Sequence, residues 1–391
     1  MSTYFITGAT GAVGSALVPL LMEAPDTELR LLIRAESDAA LADRLAQLFA
    51  FWEWPADDPR RQRVRALRGD AAEPRFALDD AQYRALAGEL THIIHCAASV
   101  RMNEPLDKAR RSAVGSATAI LELARAAHAR GRLAKVEFVS TVGIAGKRQG
   151  LLPERWIDEA RAFHNSYEQS KAEAEERVRA AVEQEGLPIT VHRPSMVIGD
   201  SHSGRIIRFQ IFYFICEFLS GRKTHGLYPD FGAVQLDVIP VDCVASAIVA
   251  SSRDPGSGGR ILHLCSGPQS APALMALRHT VRETFRAHGR EVPRAVTLPR
   301  GVFALLPRIA ALLAPADTRR ALSTLPIYLD YLADQQGFDN ARYRACLAAR
   351  GESLPAWQDY LPTVLDAYLD ARWSEASSVL RTSSAKRSPE G

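Results

Sequence analysis

Short apolar runs alternate with helical patterns through the first two hundred residues of the chain. The runs are apolar at consecutive positions, which is typical of strands buried on both faces of a parallel sheet. Their alternation with helices favours right-handed crossovers and an α/β fold with a doubly wound parallel sheet. The predicted strands are Tyr4 to Thr7, Leu29 to Ile33, Val64 to Leu67, His92 to His95, Val136 to Ser140 and Ile189 to His192.

A long helix is predicted from about Leu106 to Arg130, where Leu121, Ala124 and Ala127 are spaced to face the sheet. Beyond residue 200 the periodicity loosens, and residues 205–219 are unusually aromatic. Two interpretations of this aromatic segment stay open, namely protein core and a pocket for a long acyl or polycyclic substrate. Its aromatic residues are Phe209, Phe212, Tyr213, Phe214 and Phe218.

The pattern predicts a nucleotide-binding domain over 1–200, completed by about 233–268, where a strand, a helix and a last strand follow one another. Residues 201–232 and 269–373 are expected to form a smaller, mainly helical substrate cap, with several proline breaks. Residues 374–391 are polar and lack apolar periodicity, which predicts a disordered tail. The apolar window 302–315 is too short for a bilayer span of roughly 20 residues. It is either an interfacial helix, with peripheral membrane contact, or a helix packed on the cap.

Composition narrows the function classes. Of the 391 residues 47% are hydrophobic and 24% charged, and the net charge of +3 is too small to favour nucleic-acid binding. The five cysteines lie far apart and the ten histidines lack metal-ligand spacing, so reduced thiols and no metal site are expected. The N-terminal residues lack the features of a signal peptide, so a cytoplasmic location is expected.

The glycines Gly8, Gly11 and Gly14 lie directly after the first strand and open the first helix, together with Thr10 and Val13. Glycines let the backbone approach a pyrophosphate, and the helix N-terminus presents free N–H groups to its charge. This context predicts a Rossmann-like dinucleotide-binding loop.

Arg34 follows the second strand, where an NAD-dependent enzyme usually has an acid. A guanidinium there would attract the 2′-phosphate of NADPH, with Arg44 as a second cation, so NADPH is favoured over NADH. The alternative is that Arg34 is solvated and Glu36 or Asp38 holds a ribose. Asp70 after the third strand is placed to accept from the adenine amine, and Ala97 and Ser99 lie where the dinucleotide must pass close to the backbone.

Tyr167 and Lys171 are four residues apart on a predicted helix and share one face. A nearby ammonium favours the phenolate and makes proton exchange with a substrate oxygen feasible, and Lys171 can also hold the nicotinamide ribose. Ser140 and Thr141 end the fifth strand and place hydroxyl groups within reach of the same oxygen.

These motifs resemble the extended short-chain dehydrogenase/reductase family over about residues 3 to 265. The stretches TGATGAVG, GDAAEP, HCAAS, VSTVG, YEQSK and HRPSMVIG occur in the family's order. The segments after the second strand and around Gly69 look most like the thioester reductase and fatty acyl reductase branch. The resemblance implies NADPH-dependent reduction of an acyl thioester, bound to coenzyme A or a carrier protein, to an aldehyde or alcohol.

The resemblance also implies site residues. Thr141, Tyr167 and Lys171 would be the catalytic trio, and Pro194 to Val197 would border the nicotinamide. Ser112 departs from the family, which usually has asparagine there, so either Ser112 substitutes or the proton relay is altered. The alternatives are a 3β-hydroxysteroid or dihydroflavonol-type dehydrogenase, a sugar-nucleotide epimerase, which the apolar segment disfavours, and a non-catalytic NADP-sensing regulator.

Overall fold

A computed structural model describes residues 1–102, 104–303 and 336–385, with side chains as far as Arg372. Within these residues the chain divides into two compact units. The first comprises Met1–Val197, Asp237–Gln269 and 336–354, and the second Ile198–Leu236, 270–303 and 355–385. The sequence analysis assigns all of 269–373 to the cap, whereas residues 336–354 lie in the first unit.

The strands of the first unit follow the predicted runs closely. They are β1 (Ser2–Thr7), β2 (Thr27–Ile33), β3 (Val64–Arg68), β4 (His92–His95), β5 (Lys135–Val139), β6 (Gly150–Leu152), β7 (Ile189–Pro194), β8 (Met196–Ile198), β10 (Val238–Pro240), β11 (Ile261–Leu264) and β13 (Gln336–Phe338). The second unit holds β9 (Leu227–Pro229) and β12 (Val296–Leu298), which pair in parallel. The last residue of β8, Ile198, is already assigned to the second unit.

The helices of the first unit are α1 (Ala12–Leu21), α2 (Asp38–Phe51), α3 (Asp80–Glu89), α4 (Leu106–Arg110), α5 (Ser116–His128), α6 (Ser166–Glu185), α8 (Val241–Ser252) and α10 (Ala341–Ala348). Those of the second unit are α7 (Ile211–Leu219), α9 (Leu274–Ala287) and α11 (Trp357–Ala385). Single 3₁₀ turns occupy Pro59–Arg63, Pro74–Ala77, Val142–Ala145 and Pro255–Ser257.

The central sheet confirms the predicted doubly wound α/β architecture. In the described residues it has seven parallel strands in the order β11-β7-β5-β4-β1-β2-β3. Helices α1 and α8 pack together, and α5 packs against α3 and α6. The main apolar core lies between the sheet and α3, α5 and α6, where Phe5, Ile120 and Val136 are fully buried. The continuous apolar runs of the sequence follow from this two-sided burial.

Local sequence explains where several of these helices begin and end. Asp79 and Gln82 form a capping box at the start of α3. Asn165 caps α6 by accepting from the Glu168 N–H, and Gly186 ends the same helix in the left-handed conformation. The N-cap of α6 therefore lies two residues before Tyr167.

The predicted long helix from Leu106 to Arg130 is interrupted. A π turn at Arg111–Gly115 separates α4 from α5, while Leu121, Ala124 and Ala127 are buried as expected. Such turns insert one residue into a helix and are frequent at functional sites. This one contains Ser112.

The aromatic segment divides between two environments in the second unit. Phe212, Tyr213 and Phe218 on α7 are buried, and the Tyr213 hydroxyl accepts from the Gly199 N–H. Phe214 is 58% exposed and Phe209 37% exposed. The core interpretation thus holds for Phe212, Tyr213 and Phe218.

At the C-terminus α11 runs to Ala385, so helix covers 374–385, part of the segment for which disorder is expected from sequence. Of the apolar window 302–315, the part from residue 304 onward lies outside the described residues. Among the helices that are described, none combines the length and apolar character needed to cross a membrane.

Candidate active site

The predicted site residues gather at one edge of the sheet. The strand order reverses between β1 and β4, and in open α/β sheets ligands bind beyond the carboxyl ends of the strands at such a point. The glycine loop follows β1, Arg34 follows β2 and Asp70 follows β3. Ala97 and Ser99 follow β4, Ser140 and Thr141 follow β5, and Pro194 and Val197 lie at and beyond the end of β7.

The glycine loop is packed so closely that side chains are excluded. Gly8 has φ of +79°, and a Cβ there would lie 2.7 Å from the Ala97 nitrogen. A Cβ on Gly14 would lie 2.2 Å from the Gly8 oxygen, and the Gly11 N–H donates to that same oxygen at 2.9 Å. Thr10 and Val13 are partly buried in the loop and the first turn of α1.

Helix α1 begins without a side-chain cap, because Gly11 occupies the N-cap position. The first N–H groups of a helix have no intrahelical partners and attract anions. The glycine cradle and the uncapped helix start therefore fit the pyrophosphate of a dinucleotide.

A buried histidine ties β4 to the glycine-loop strand. His95 Nδ1 lies 2.7 Å from Thr7 Oγ1, and its Nε2 lies 3.3 Å from Ser116 Oγ. Burial, assisted by the Lys171 ammonium, lowers the pKa of His95 to about 3, so the ring is neutral. The Ala97 N–H donates to Thr7 Oγ1 at 3.4 Å, which holds the chain after β4 beside Gly8.

Arg34 stands in the open beside a cavity of about 500 Å³. Its side chain is 78% exposed and lies 3.5 Å from Asp70. Asp70 also accepts from the Ala72 N–H at 3.0 Å, and the Arg44 guanidinium donates to the Arg34 carbonyl. The cavity is lined by Arg34, Ala35, Asp38, Leu41, Arg65, Ala66, Leu67, Arg68, Gly69, Asp70, Ala77 and Gln82.

The two acids of this cavity are each paired with an arginine. Asp70 faces Arg34, and Asp38 lies 3.0 Å from Arg68. The Arg68 guanidinium also donates to the Glu36 carbonyl. Because Arg65 is a third arginine in the lining, the cavity has three arginines against these two acids and offers a ligand a net positive charge.

Thr141 and Tyr167 place their hydroxyl groups near each other. The Thr141 hydroxyl lies close enough to lower the pKa of Tyr167, and it accepts from the Gly143 N–H at 3.1 Å. Burial raises the pKa of Tyr167 to about 12, against the lowering effect of Thr141. This direction is opposite to the phenolate expected from sequence, because desolvation by burial is the largest effect on the Tyr167 pKa.

Lys171 is buried beneath the strand end. Its ammonium donates to the Val139 carbonyl at 2.8 Å and lies 5.2 Å from the centre of the Phe138 ring. Burial lowers its pKa to about 8, while Glu175 opposes that shift. The lysine thus sits on the predicted face of α6, held by β5.

Ser140 offers a second buried hydroxyl. It is 4% exposed, and its Oγ has no hydrogen-bond partner among the described residues. Its N–H donates to the His192 carbonyl of the neighbouring β7. Pro194, the last residue of that strand, and Val197 beyond it are buried.

Ser112, at the position of the family asparagine, joins a network that sequence reasoning does not reveal. Its Oγ accepts from the Ser99 N–H at 2.9 Å, and the Ser99 hydroxyl donates to Glu104 at 2.8 Å. The Glu104 carbonyl accepts from Ser166 Oγ at 2.6 Å, one residue before Tyr167. The π turn is thereby connected to the start of α6.

Glu168 is a second residue that sequence reasoning overlooked. Its buried carboxylate accepts from the His164 ring at 2.9 Å and from the His164 N–H at 3.0 Å, and its charge contributes to the raised pKa of Tyr167. The available signal was an acid directly after the tyrosine and a histidine four residues before that acid.

Comparison with known proteins agrees with this geometry. Residues 6–248 match the NAD-binding family described as male sterility protein. The chain is 31% identical over 247 residues to the isonitrile lipopeptide synthase of Streptomyces coeruleorubidus, covering 62% of this chain and 16% of that protein. It is 28% identical over 281 residues to the L-2-aminoadipate reductase of Schizosaccharomyces pombe, covering 68% of this chain and 19% of that protein. The chain thus spans less than a fifth of the length of either relative.

A solved structure resembles nearly the whole chain. The terminal R domain from the myxalamid PKS-NRPS biosynthetic pathway is 25% identical with a TM-score of 0.78, covering 95% of this chain and 91% of that one. The glycine cradle, the Thr141–Tyr167 pair and these matches agree on one class. The chain belongs to the male sterility protein family of NAD-binding domains, within the NAD(P)-dependent extended short-chain dehydrogenases/reductases that use a nicotinamide cofactor.

Proposed function

We propose that this chain is an NADPH-dependent reductase that converts an acyl thioester to an aldehyde or alcohol. The observation that carries the proposal is the proximity of the Thr141 and Tyr167 hydroxyl groups, on the same sheet edge as the glycine cradle. The thioester class comes from the resemblance to thioester reductases and from relatives that include a reductase and a terminal R domain. The acyl group would be carried by coenzyme A or an acyl carrier protein.

Tyr167 acts as the proton donor. With its pKa raised to about 12, the hydroxyl stays protonated at neutral pH and can donate to the substrate carbonyl oxygen. Thr141 supplies a second hydroxyl group toward the same oxygen, which stabilises the charge that develops there. The nicotinamide, when bound, supplies the hydride that reaches the carbonyl carbon.

Hydride addition and protonation of the oxygen convert the thioester to a hemithioacetal. Its carbon–sulfur bond then breaks, the thiol leaves with a proton, and the aldehyde is formed. A second hydride and proton would give the alcohol. Lys171, held by the Val139 carbonyl, is placed to hold the nicotinamide ribose and to tune Tyr167.

The residues that would hold the dinucleotide follow the sheet edge. Gly8, Gly11 and Gly14, with Thr10 and Val13, would bind the pyrophosphate. Arg34, supported by Arg44, would pair with the 2′-phosphate, which favours NADPH over NADH because a guanidinium recognises phosphate with several charge-assisted hydrogen bonds. Asp70, Ala97, Ser99, Pro194 and Val197 would complete the dinucleotide site.

The test is NADPH consumption with acyl-CoA and with acyl-carrier thioesters as substrates. Tyr167→Phe should lower kcat by about 10²–10⁴-fold, the usual contribution of a positioned proton donor. NADPH affinity should be retained, because the ring that lines the site remains. Tyr83→Phe, at a partly buried tyrosine on α3, is the matched control and should leave kcat unchanged.

Two results would reject this proposal. Full activity of Tyr167→Phe would show that another group donates the proton. Activity of the unmodified protein on ketones or alcohols but not thioesters would favour the ketone–alcohol dehydrogenase alternative.

A further inference from the structure

Three arginines form a ridge on helix α9 of the second unit. Arg278, Arg282 and Arg286 are spaced four residues apart, so they lie on one side of the helix. This side faces Tyr228 of β9, a tyrosine that is fully buried. The ridge is remote in sequence from every motif used in the proposed reduction.

Two of the three guanidinium groups converge on that tyrosine. The Arg278 guanidinium carbon lies 4.5 Å from the centre of the Tyr228 ring, and that of Arg282 lies 5.8 Å from it. Arg282 donates to the Tyr228 hydroxyl at 2.7 Å, to the Ser220 carbonyl and to the Pro293 carbonyl. Burial raises the pKa of Tyr228, and the positive charges of Arg282, Arg278 and Arg286 all oppose that rise.

The ridge has no counter-charge in the part of the chain that the structure describes: no carboxylate there pairs with Arg278, Arg282 or Arg286. Glu283 on the same helix pairs with His279, whose Nε2 lies 3.1 Å from its carboxylate, and Glu291 is exposed. Residues 220–228 and 278–294 together carry seven arginines and lysines but only these two acids. The cations are Arg222, Lys223, Arg278, Arg282, Arg286, Arg290 and Arg294.

Arg278 gives the most direct indication of an anion-binding site. Its Nη1 is buried and lacks a hydrogen-bond partner among the described residues. A buried charged group without a partner is costly, and a second cation beside it adds repulsion. An anion that accepts hydrogen bonds from this fork would relieve both costs.

We propose that the arginine ridge of α9 is a binding site for a phosphate group, as a phosphomonoester or phosphodiester. Guanidinium forks match the tetrahedral oxygens of phosphate, and several charge-assisted hydrogen bonds can form at once. Arg286 and Arg222 are exposed, which gives the anion a route from solvent. Gly221, at φ of +78°, keeps the adjoining loop tight, since a Cβ there would lie 3.0 Å from Arg282 Nη1.

Two sources would present this chemistry to the ridge. One is the set of phosphates of coenzyme A, and the other is the phosphodiester that links a phosphopantetheine arm to a carrier protein. Assigning the phosphate to either thioester carrier rests on the proposed function. The anion site itself does not.

Isothermal titration of the full chain, saturated with NADP⁺ so that the dinucleotide site is filled, tests the proposal. The probes are coenzyme A, pantetheine, which lacks the phosphates, and a carrier protein with and without its phosphopantetheine arm. Arg278→Ala and the exposed Arg286→Ala should each weaken phosphate-bearing probes by about tenfold or more. Pantetheine affinity should not change. Arg132→Ala, at an exposed arginine of the first unit, is the control with the same charge change and should bind like wild type.

The outcomes separate the sources. A loss confined to coenzyme A assigns the site to that carrier, and a loss with the arm-bearing but not the armless carrier assigns it to the arm's phosphodiester. Unchanged affinities in Arg286→Ala, or an equal loss with the armless carrier, would overturn phosphate recognition. NADPH consumption by the unmodified protein is measured separately, so failure of the proposed reduction would leave the binding result intact.

Discussion

At the scale of single residues, the sequence predicts which side chains are catalytic candidates. Their pKa values, however, depend on burial, which the sequence does not reveal. The spacing of Tyr167 and Lys171 correctly places both on α6, yet the pKa of the tyrosine is raised to about 12. Its direction follows from desolvation by neighbours on other elements. A protonated tyrosine is suited to donating a proton, which is the direction that reduction requires.

In the proposed function, the preference for NADPH would rest on Arg34. Arg34→Ala should raise the KM for NADPH by about tenfold to a hundredfold, because it removes charge-assisted hydrogen bonds to the 2′-phosphate. The KM for NADH should stay within about twofold, since NADH has no such phosphate. Steady-state kinetics with both cofactors measure this, with Arg344→Ala as the exposed control on α10. Equal effects on NADPH and NADH would place the 2′-phosphate elsewhere.

At the scale of elements, the apolar pattern predicted the central strands well because β1, β4, β5 and β7 are buried along nearly their whole length. It missed the π turn at Arg111–Gly115, since the residues of α4 and α5 continue one helical pattern. The turn is recognisable only from its contacts, in which Ser112 reaches the Ser99 N–H and Ser116 Oγ bonds back to the Ser112 carbonyl. The asparagine position is therefore occupied by a residue that supports the loop after β4.

The glycine loop gives the prediction at this scale. Gly14→Ala should lower the free energy of unfolding by about 3 kcal/mol and abolish dinucleotide binding, because its Cβ would lie 2.2 Å from the Gly8 oxygen and push α1 from β1. Gly88→Ala on α3 is the matched control. A Cβ there has nothing within 4 Å, so stability should rise by about 0.5–1 kcal/mol. Chemical denaturation and dinucleotide titration measure both variants, and wild-type behaviour of Gly14→Ala would refute the close approach.

At the scale of the whole molecule, the first unit keeps three histidines neutral in its interior. Burial lowers the pKa of His92 to about 4 and those of His95 and His263 to about 3. The unfolded chain takes up protons near the ordinary histidine pKa of about 6.5, whereas the folded chain takes them up only near 3 to 4. The contribution of these three histidines to stability is therefore fully present above about pH 6.5 and is lost as the pH drops through that window.

His95→Gln isolates one of these protons. The slope of unfolding free energy against pH, between about pH 6 and pH 5, should decrease by about 1.4 kcal/mol per pH unit, the value for one proton. Urea denaturation at a series of pH values measures the slope, which is independent of the packing energy lost at neutral pH. An unchanged slope would mean that His95 is protonated in the folded protein.

The sequence alone determined the class of fold and the placing of the chemistry along it. Consecutive apolar positions encode two-sided burial, and glycine, tyrosine and lysine spacings encode local backbone geometry, so both can be read without a partner. Only the tertiary structure decided which aromatic residues of the segment from Phe209 to Phe218 are buried, which direction the Tyr167 pKa takes and how the arginines of α9 meet Tyr228. Those properties depend on contacts between residues far apart in sequence, so the local sequence pattern cannot predict them.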